Sequence, residues 1–182
     1  MKFRALFAVL FAGLCGFGGL AVSVASAQAG PSQGSTPRLD EARLIVSGDV
    51  ATPLSLSLLD LGGLPRQILK VHNEHEKRQE TYQGVALSEI LKRAGVPQGE
   101  ELRGPALATY VRAEAADGYA AVFALAELDS SIQDSGVLVA DTLDGQPIPD
   151  KLGPLRLVVP HDKRPARWVR MLRSVIVVKS AK

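Results

Sequence analysis

An apolar run at the N-terminus limits how much of this chain can fold as a domain. The chain starts with the basic residues Lys2 and Arg4. An apolar run from Ala5 to Val24 follows and leads into Ala25-Ser26-Ala27, a small-x-small pattern. These three features are typical of a cleavable secretory signal peptide over residues 1–27. The alternative, an uncleaved membrane anchor, is disfavoured by the glycines within the run. We therefore expect a periplasmic or secreted protein.

Cleavage after Ala27 would change both the cysteine content and the charge. Removal of residues 1–27 from the 182 of the full chain leaves 155, about the size of one domain. The only cysteine, Cys15, lies in the removed segment, so the mature chain would contain no disulfide, thiolate metal ligand or cysteine nucleophile. Loss of Lys2 and Arg4 lowers the basic residues from 21 to 19, equal to the 19 acidic residues. A mature net charge of zero argues against a nucleic-acid partner.

The mature chain divides by composition into a short tail and one domain. Residues 28–38 are rich in Gly, Pro, Ser and Gln, with almost no large apolar side chain to bury. We predict a flexible linker over residues 28–40 and one folded domain over residues 41–182. No later segment reaches the length of a membrane span.

Short apolar, β-branched runs predict seven strands in this domain. They are Leu44–Gly48, Ile68–Val71, Tyr110–Ala113, Ala120–Phe123, Val137–Ala140, Leu155–Val159 and Val175–Val178. Asp117-Gly118 and Asp144-Gly145 are typical turn sequences.

Helical patterns are few and short. Residues Val85–Ala94 place Leu87, Ile90 and Leu91 on one face and are followed by Gly95. Shorter helical turns are expected over residues 56–61 and 125–128. Many short strands with few helices predict an α+β fold, a mixed sheet with short helices.

Two histidines suggest a metal site. His72, Glu74, His75 and Glu76 carry donor atoms that zinc or copper accept. On a strand, however, His72 and His75 would point to opposite faces. We favour a solvated connection here, before the helix that starts at Val85, and keep a periplasmic His/Glu metal-binding protein as an alternative.

A basic loop, defined here as residues His161–Arg173, is the second candidate site. It follows a predicted buried strand and contains Lys163, Arg164, Arg167 and Arg170, with Asp162 as its only acid. Guanidinium groups on a loop held by a rigid strand can bind phosphate or carboxylate in bidentate geometry. The alternative is a solvated charged face with Trp168 and Val169 packed inward. Hydrolase and nucleotide-binding motifs of the G-x-S-x-G, H-E-x-x-H, P-loop and G-x-G-x-x-G types are absent from the sequence.

Five segments, in order, resemble the oxidoreductase molybdopterin-binding domain with the sulfite-oxidase-type fold. Residues 82–91 are similar to its Y-x-G-V-x-L-x-x-L-L segment, and residues 117–127 to its D-G-Y … L-x-E. Residues 138–148 are similar to its L-L-A … N/D-G-x-P-L, and residues 153–160 to its G-x-P-x-R-L-V-V-P. Residues 166–170 match its closing segment. The resemblance extends over about Leu44 to Val178 and implies an α+β fold that holds a pterin cofactor.

The resemblance also implies a set of cofactor-binding residues. The basic residues that match its phosphate-contacting positions are Arg167 and Arg170, with His161 and Lys163 in the loop before them. Arg156 matches an arginine of the strand motif, where a structural role is as plausible as a ligand role. Tyr119 matches a tyrosine of the hairpin motif, which we interpret as structural.

One departure from the family bears on chemistry. Catalytic members carry, upstream of the Gly-Val-x-Leu helix, a cysteine whose thiolate binds molybdenum; residues 67–83 of this chain contain none. We therefore expect an exported, non-catalytic domain that binds a small anionic ligand or a protein partner through the basic loop. The alternative is a molybdopterin-dependent oxidoreductase, or its accessory subunit, in which the cofactor dithiolene alone holds the metal.

Overall fold

A computed structural model describes residues 42–73 and 76–180. The predicted signal peptide and linker, together with Glu74 and His75, lie outside the described residues. Within them, ten strands form two sheets, and the helices are short. The strands are β1 Arg43–Gly48, β2 Leu54–Ser57, β3 Arg66–Asn73, β4 Arg78–Ala86, β5 Thr109–Ala115, β6 Ala120–Ala124, β7 Leu138–Leu143, β8 Gln146–Pro147, β9 Arg156–Val158 and β10 Leu172–Lys179.

The first sheet has the order β2-β1-β10-β5-β6. Its strands alternate buried apolar with exposed residues; in β10, for example, Val175 and Val177 are buried while Arg173 is exposed. Strand β1 pairs with β10 in parallel, and the other neighbours are antiparallel. The predicted hairpin at Asp117-Gly118 is confirmed, since it joins β5 to β6.

The second sheet is antiparallel and has the order β3-β4-β7-β8, with β9 pairing with β7. Strand β7 is buried along Leu138, Val139 and Ala140, and β9 is buried throughout. Asp144 and Gly145 both adopt positive φ, as a two-residue hairpin turn between β7 and β8 requires. Buried apolar residues of both sheets belong to one core.

In the part of the chain that the structure describes, the α-helices are α1, Leu58–Gly62, and α2, Leu87–Arg93. Helix α1 begins with a capping box between Ser57 and Asp60. Helix α2 buries Leu87, Ile90 and Leu91, the face that the sequence predicts. Single-turn 3₁₀ helices lie at Gly99–Glu101, Gly104–Ala108, Leu125–Leu128 and Pro165–Arg167.

The segment around His72 is not the solvated connection that the sequence favours. Its described residues belong to a long antiparallel hairpin, in which β3 and β4 pair from Arg66 with Val85 to Asn73 with Arg78. Strand β4 also takes Val85 and Ala86 from the predicted helix, and β2 takes residues 56–57 from the predicted first helix. The polar side chains misled the prediction because β4 places polar residues on its exposed face and buries Glu80, a charged residue.

The fold class is confirmed as α+β, with one mixed sheet, one antiparallel sheet and short helices. In the described ranges, none of the helices is long and apolar enough to cross a membrane.

Candidate functional site

A cavity of about 690 Å³ is lined by residues from several parts of the chain. One wall is the tip of the β3–β4 hairpin, with Asn73, Glu76, Arg78 and Glu80. The β5–β6 turn contributes Asp117 and Tyr119. The lining is completed by Arg156 of strand β9, by Leu143 and Leu152, and by Pro165, Ala166, Trp168 and Arg170. This volume lies within the range of pockets that bind small molecules.

Arg156 of β9 is a buried cation in the cavity wall. Its side chain packs beside two aromatic rings, with the guanidinium carbon 5.5 Å from the ring centroid of Tyr82 and 5.2 Å from that of Trp168. The residue is only 8% exposed, and Nη1 donates a 2.6 Å hydrogen bond to the Tyr82 hydroxyl. Within the described residues, the buried Nε has no hydrogen-bond acceptor. A buried charge with unused donors is costly unless a ligand or water completes it.

Tyr82 connects Arg156 to a buried carboxylate. Its hydroxyl accepts from Arg156 and donates a 2.8 Å hydrogen bond to Oε2 of Glu80, which is 2% exposed. Burial raises the pKa of Tyr82 well above its usual value; the Arg156 charge opposes this shift and the hydrogen bond to Glu80 reinforces it. The phenol therefore stays protonated and orients Arg156.

Glu80 is held by further polar partners at the hairpin tip. Its Oε1 accepts from Asn73 Nδ2 at 3.0 Å and lies 2.9 Å from Nη2 of Arg78. Arg78 also donates to Asp144 at 2.8 Å. The period-two geometry of β4 explains the arrangement, because Glu80, Tyr82 and Gly84 all point to the buried face.

Arg170 also lines the cavity. The amide of Ala116 donates a 2.9 Å hydrogen bond to the carbonyl of Met171, which holds the β5–β6 turn against the segment that carries Arg170. Asp117 lines the cavity from that turn. Arg170 is exposed and makes no ion pair with any described carboxylate.

Arg167, the other predicted phosphate contact, is bound within the chain. Its Nε and Nη2 donate to the two carboxylate oxygens of Asp162 at 2.9 and 2.7 Å, and Nη1 donates to Glu127 at 3.0 Å. The guanidinium also lies 4.8 Å from the centroid of the Phe123 ring. The hydrogen bond to Asp162 raises the pKa of Arg167 further. An anion at Arg167 would have to compete with two carboxylates, and Arg167 does not line the cavity.

The five predicted site residues therefore separate into two groups. The structure brings Arg156 and Arg170 to one cavity, whereas His161 and Lys163 are exposed and, like Arg167, lie outside its lining. Trp168 and Val169 are buried, as the alternative interpretation of the basic loop expects. Trp168 Nε1 donates to the Val159 carbonyl at 2.8 Å.

Sequence reasoning missed Glu80 and Arg78 as part of this site. The signal was present as a period-two pattern through Arg78, Glu80, Tyr82 and Gly84, which is typical of a strand. The tyrosine of the hairpin motif, Tyr119, donates a hydrogen bond from its hydroxyl to the Ala166 carbonyl and so joins two parts of the rim.

The histidines give no metal centre among the described residues. His72 lies exposed on β3, and no group of three His, Cys, Asp or Glu side chains in residues 42–73 and 76–180 could hold a metal ion. His75 and Glu74 lie outside those ranges, so the predicted His/Glu metal site stays a prediction.

Comparison with known proteins assigns the family. The family model of the oxidoreductase molybdopterin binding domain matches residues 33–182, so this chain belongs to that family. Among solved structures, the sulfane dehydrogenase SoxCD from Paracoccus pantotrophus is similar, with a TM-score of 0.63 and 23% sequence identity. The similarity covers 79% of this chain and 40% of that chain, so this chain corresponds to less than half of the SoxCD chain. A search of curated proteins gave no match. The predicted resemblance and sulfite-oxidase-type fold are confirmed.

The family name implies a molybdopterin cofactor. The residues that line the cavity are suited to the anionic part of such a cofactor but not to its metal. Arg156 and Arg170 are suited to an anionic group such as a phosphate. The donor set does not fit a molybdenum centre with a protein thiolate, because the sequence has no cysteine after Cys15.

Proposed function

We propose that this protein is an exported, non-catalytic member of the molybdopterin-binding family that binds a small anionic ligand in the cavity between Arg156 and Arg170. Its place of action is the periplasm or the outside of the cell. This refines the prediction for the basic loop: Arg156 and Arg170 contact the anion, and Arg167 positions the loop that carries Arg170.

The buried guanidinium of Arg156 carries this proposal. The rings of Tyr82 and Trp168 pack against the Arg156 guanidinium, and the hydrogen bond to the Tyr82 hydroxyl fixes Nη1. A preorganised cation loses little conformational freedom on binding, and the low-dielectric surroundings strengthen its attraction to an anion. Glu80, the closest buried carboxylate along the network, is already shared among Tyr82, Asn73 and Arg78.

The absence of a thiolate supports a non-catalytic role. Molybdenum favours sulfur ligands, and the region in which catalytic relatives carry their cysteine forms the β3–β4 hairpin here without one. The polar groups that this hairpin directs to the cavity are amide, carboxylate and guanidinium groups.

Calorimetric titration of the full chain with inorganic phosphate tests the anion site. We expect saturable binding, and we expect Arg170→Gln to weaken it by about tenfold or more, because it removes a charge-assisted contact. Arg173→Gln is the matched control, since Arg173 is exposed on β10 and does not line the cavity. Equal affinity of the wild type and both variants would contradict the proposal.

A molybdopterin-dependent oxidoreductase is the second candidate, and family membership favours it. In that case the cofactor dithiolene, or a partner subunit, would supply the sulfur ligands that this chain lacks. Such an enzyme should show charge-transfer absorption and should reduce or oxidise a redox dye. A purified chain with both properties would establish this candidate over the binding role.

A further inference from the structure

Among the described residues, the cavity is lined by equal numbers of basic and acidic side chains. These six are Arg78, Arg156, Arg170, Glu76, Glu80 and Asp117. Arg78 and Glu80 form an ion pair of 2.9 Å within the wall. Among the described residues, the structure shows no ion pair within 4 Å for Arg156, Arg170 or Asp117.

A ligand that carries only negative charge would gain the attraction of Arg156 and Arg170 but would also be repelled by Asp117. The backbone hydrogen bond between Ala116 and Met171 holds the turn that carries Asp117 next to the segment that carries Arg170, and both residues line the cavity. An anion between Arg156 and Arg170 would therefore lie in the field of Asp117, and like charges repel. A second, positive group on the ligand converts that repulsion into attraction.

The rest of the lining is suited to an apolar body. Leu143, Leu152 and Trp168 contribute apolar surface between the charged groups. Trp168 is 8% exposed and fixed by its hydrogen bond to Val159, so it offers a rigid surface. The buried Arg156 with its unpartnered Nε points to a ligand independently of the acids.

We propose that the ligand is a small zwitterion of the amino-acid type with an apolar body. Its carboxylate binds Arg156 and Arg170, its ammonium group binds Asp117, and its apolar part packs on Trp168, Leu143 and Leu152. This inference rests on the proposed anion site and names the class of ligand which that site selects.

Three probes that share one carbon skeleton test the inference by calorimetry on the full chain. They are phenylalanine, its deaminated analogue 3-phenylpropionate and its decarboxylated analogue 2-phenylethylamine. We expect phenylalanine to bind at least about tenfold more tightly than either analogue, because only phenylalanine satisfies both charges.

The Asp117→Asn variant tests the contact with the ammonium group while the fold of the turn is kept. Asparagine keeps the short oxygen that accepts the 3.0 Å hydrogen bond from the Tyr119 amide in this turn, so the turn should persist. We expect this variant to lose the preference for phenylalanine over 3-phenylpropionate, because phenylalanine loses its ammonium contact while 3-phenylpropionate, freed of the repulsion by Asp117, binds at least as tightly as to the wild type. Asp150→Asn, at an exposed residue outside the cavity, should change neither affinity.

The outcomes distinguish this inference from the proposed function. If phenylalanine binds no more tightly than 3-phenylpropionate and both depend on Arg170, the zwitterion is wrong and the anion site stands. If Asp117→Asn weakens both probes equally, Asp117 is structural and the inference is also overturned. If no probe and no phosphate binding depends on Arg170, both proposals fail.

Discussion

The conformation of a single arginine depends on three residues that the sequence does not place beside it. Arg156 lies 74 positions after Tyr82, the residue that accepts its hydrogen bond. Strand β7 brings them together, because it pairs with β4 on one side and with β9 on the other. Tyr82 in turn donates a hydrogen bond to Glu80, and its ring contacts the ring of Trp168. These contacts hold Arg156 in place as a buried cation. The G-x-P-x-R motif alone does not decide whether this arginine is structural or binds a ligand.

Tyr82→Phe should destabilise the protein. The change removes the acceptor for Arg156 Nη1 and the donor to Glu80. Each of these two buried charged groups then lacks one hydrogen-bond partner. We expect a loss of about 1–3 kcal/mol in the free energy of unfolding, measured by urea denaturation. Tyr110→Phe is the control, since Tyr110 is half-buried on β5 and donates no side-chain hydrogen bond within the described part. Equal stabilities of the two variants would contradict the network.

Arg167 and Arg170 should respond differently to truncation. Arg167→Ala removes the contacts to Asp162, Glu127 and Phe123. We therefore expect the free energy of unfolding to fall by about 1 kcal/mol and the melting temperature to fall with it. The effect is small because Arg167 is partly exposed. Arg170→Ala should leave the melting temperature unchanged and weaken phosphate binding. A larger loss of stability for Arg170→Ala would make Arg170 the structural residue and would overturn our assignment.

At the scale of the element, the β3–β4 hairpin positions most of the polar network. Its inward face carries Glu80 and Tyr82, and Gly84 lies where β4 approaches β7. A Cβ on Gly84 would come within 2.0 Å of the Val139 carbonyl oxygen. The glycine of the Y-x-G-V motif is therefore required by close approach of two backbones, and the register shift beside it marks the same point.

Gly84→Ala should consequently cost more than a typical glycine substitution. We expect a destabilisation of about 1–3 kcal/mol, because backbone atoms have to move to admit the methyl group. Gly62→Ala in α1 is the matched control; nothing lies within 4 Å of its added Cβ, and alanine favours a helix by about 0.5–1 kcal/mol. Chemical denaturation of both variants gives the comparison. A neutral Gly84→Ala would show that the two strands are not so closely packed.

The sequence predicts strands with one apolar face, but it does not predict a strand whose buried face also carries polar residues. Strands β1, β5, β7 and β10 have β-branched or apolar runs, and each was predicted near its observed bounds. Strand β4 was missed over residues 78–84 because its buried positions include Glu80, a residue that normally marks a surface. Polar groups become acceptable on a buried face only when tertiary partners satisfy them, and a single sequence does not show those partners.

At the scale of the whole molecule, several aspartates make stability depend on acid pH. A side-chain hydrogen bond from Ser131 lowers the pKa of Asp129, and the amide of Thr81 lowers that of Asp144. For Asp141, burial raises the pKa, but hydrogen bonds from Arg66 and Thr142 outweigh it and leave the pKa lowered. Carboxylates with lowered folded pKa values stabilise the protein above their ordinary pKa and lose that contribution as pH falls through the folded values.

The free energy of unfolding should therefore fall as the pH drops below about 4, close to the ordinary pKa of aspartate. Asp141→Asn should lower the stability at pH 7, because it breaks the ion pair with Arg66, and should reduce the slope below pH 4. Asp150→Asn should leave both unchanged, since Asp150 is exposed and its side chain forms no hydrogen bond or ion pair with another described residue. Urea denaturation over this pH range measures both effects. Parallel pH curves for the wild type and Asp141→Asn would contradict the assignment.

This chain retains the fold of an oxidoreductase family, and we propose that it binds a ligand without a molybdenum centre. The most direct measurement is the molybdenum content of the full chain after expression in molybdenum-replete cells, by elemental analysis of the purified protein. We expect a content far below one atom per chain, because no cysteine follows Cys15 to bind the metal. One molybdenum atom per chain would contradict this proposal.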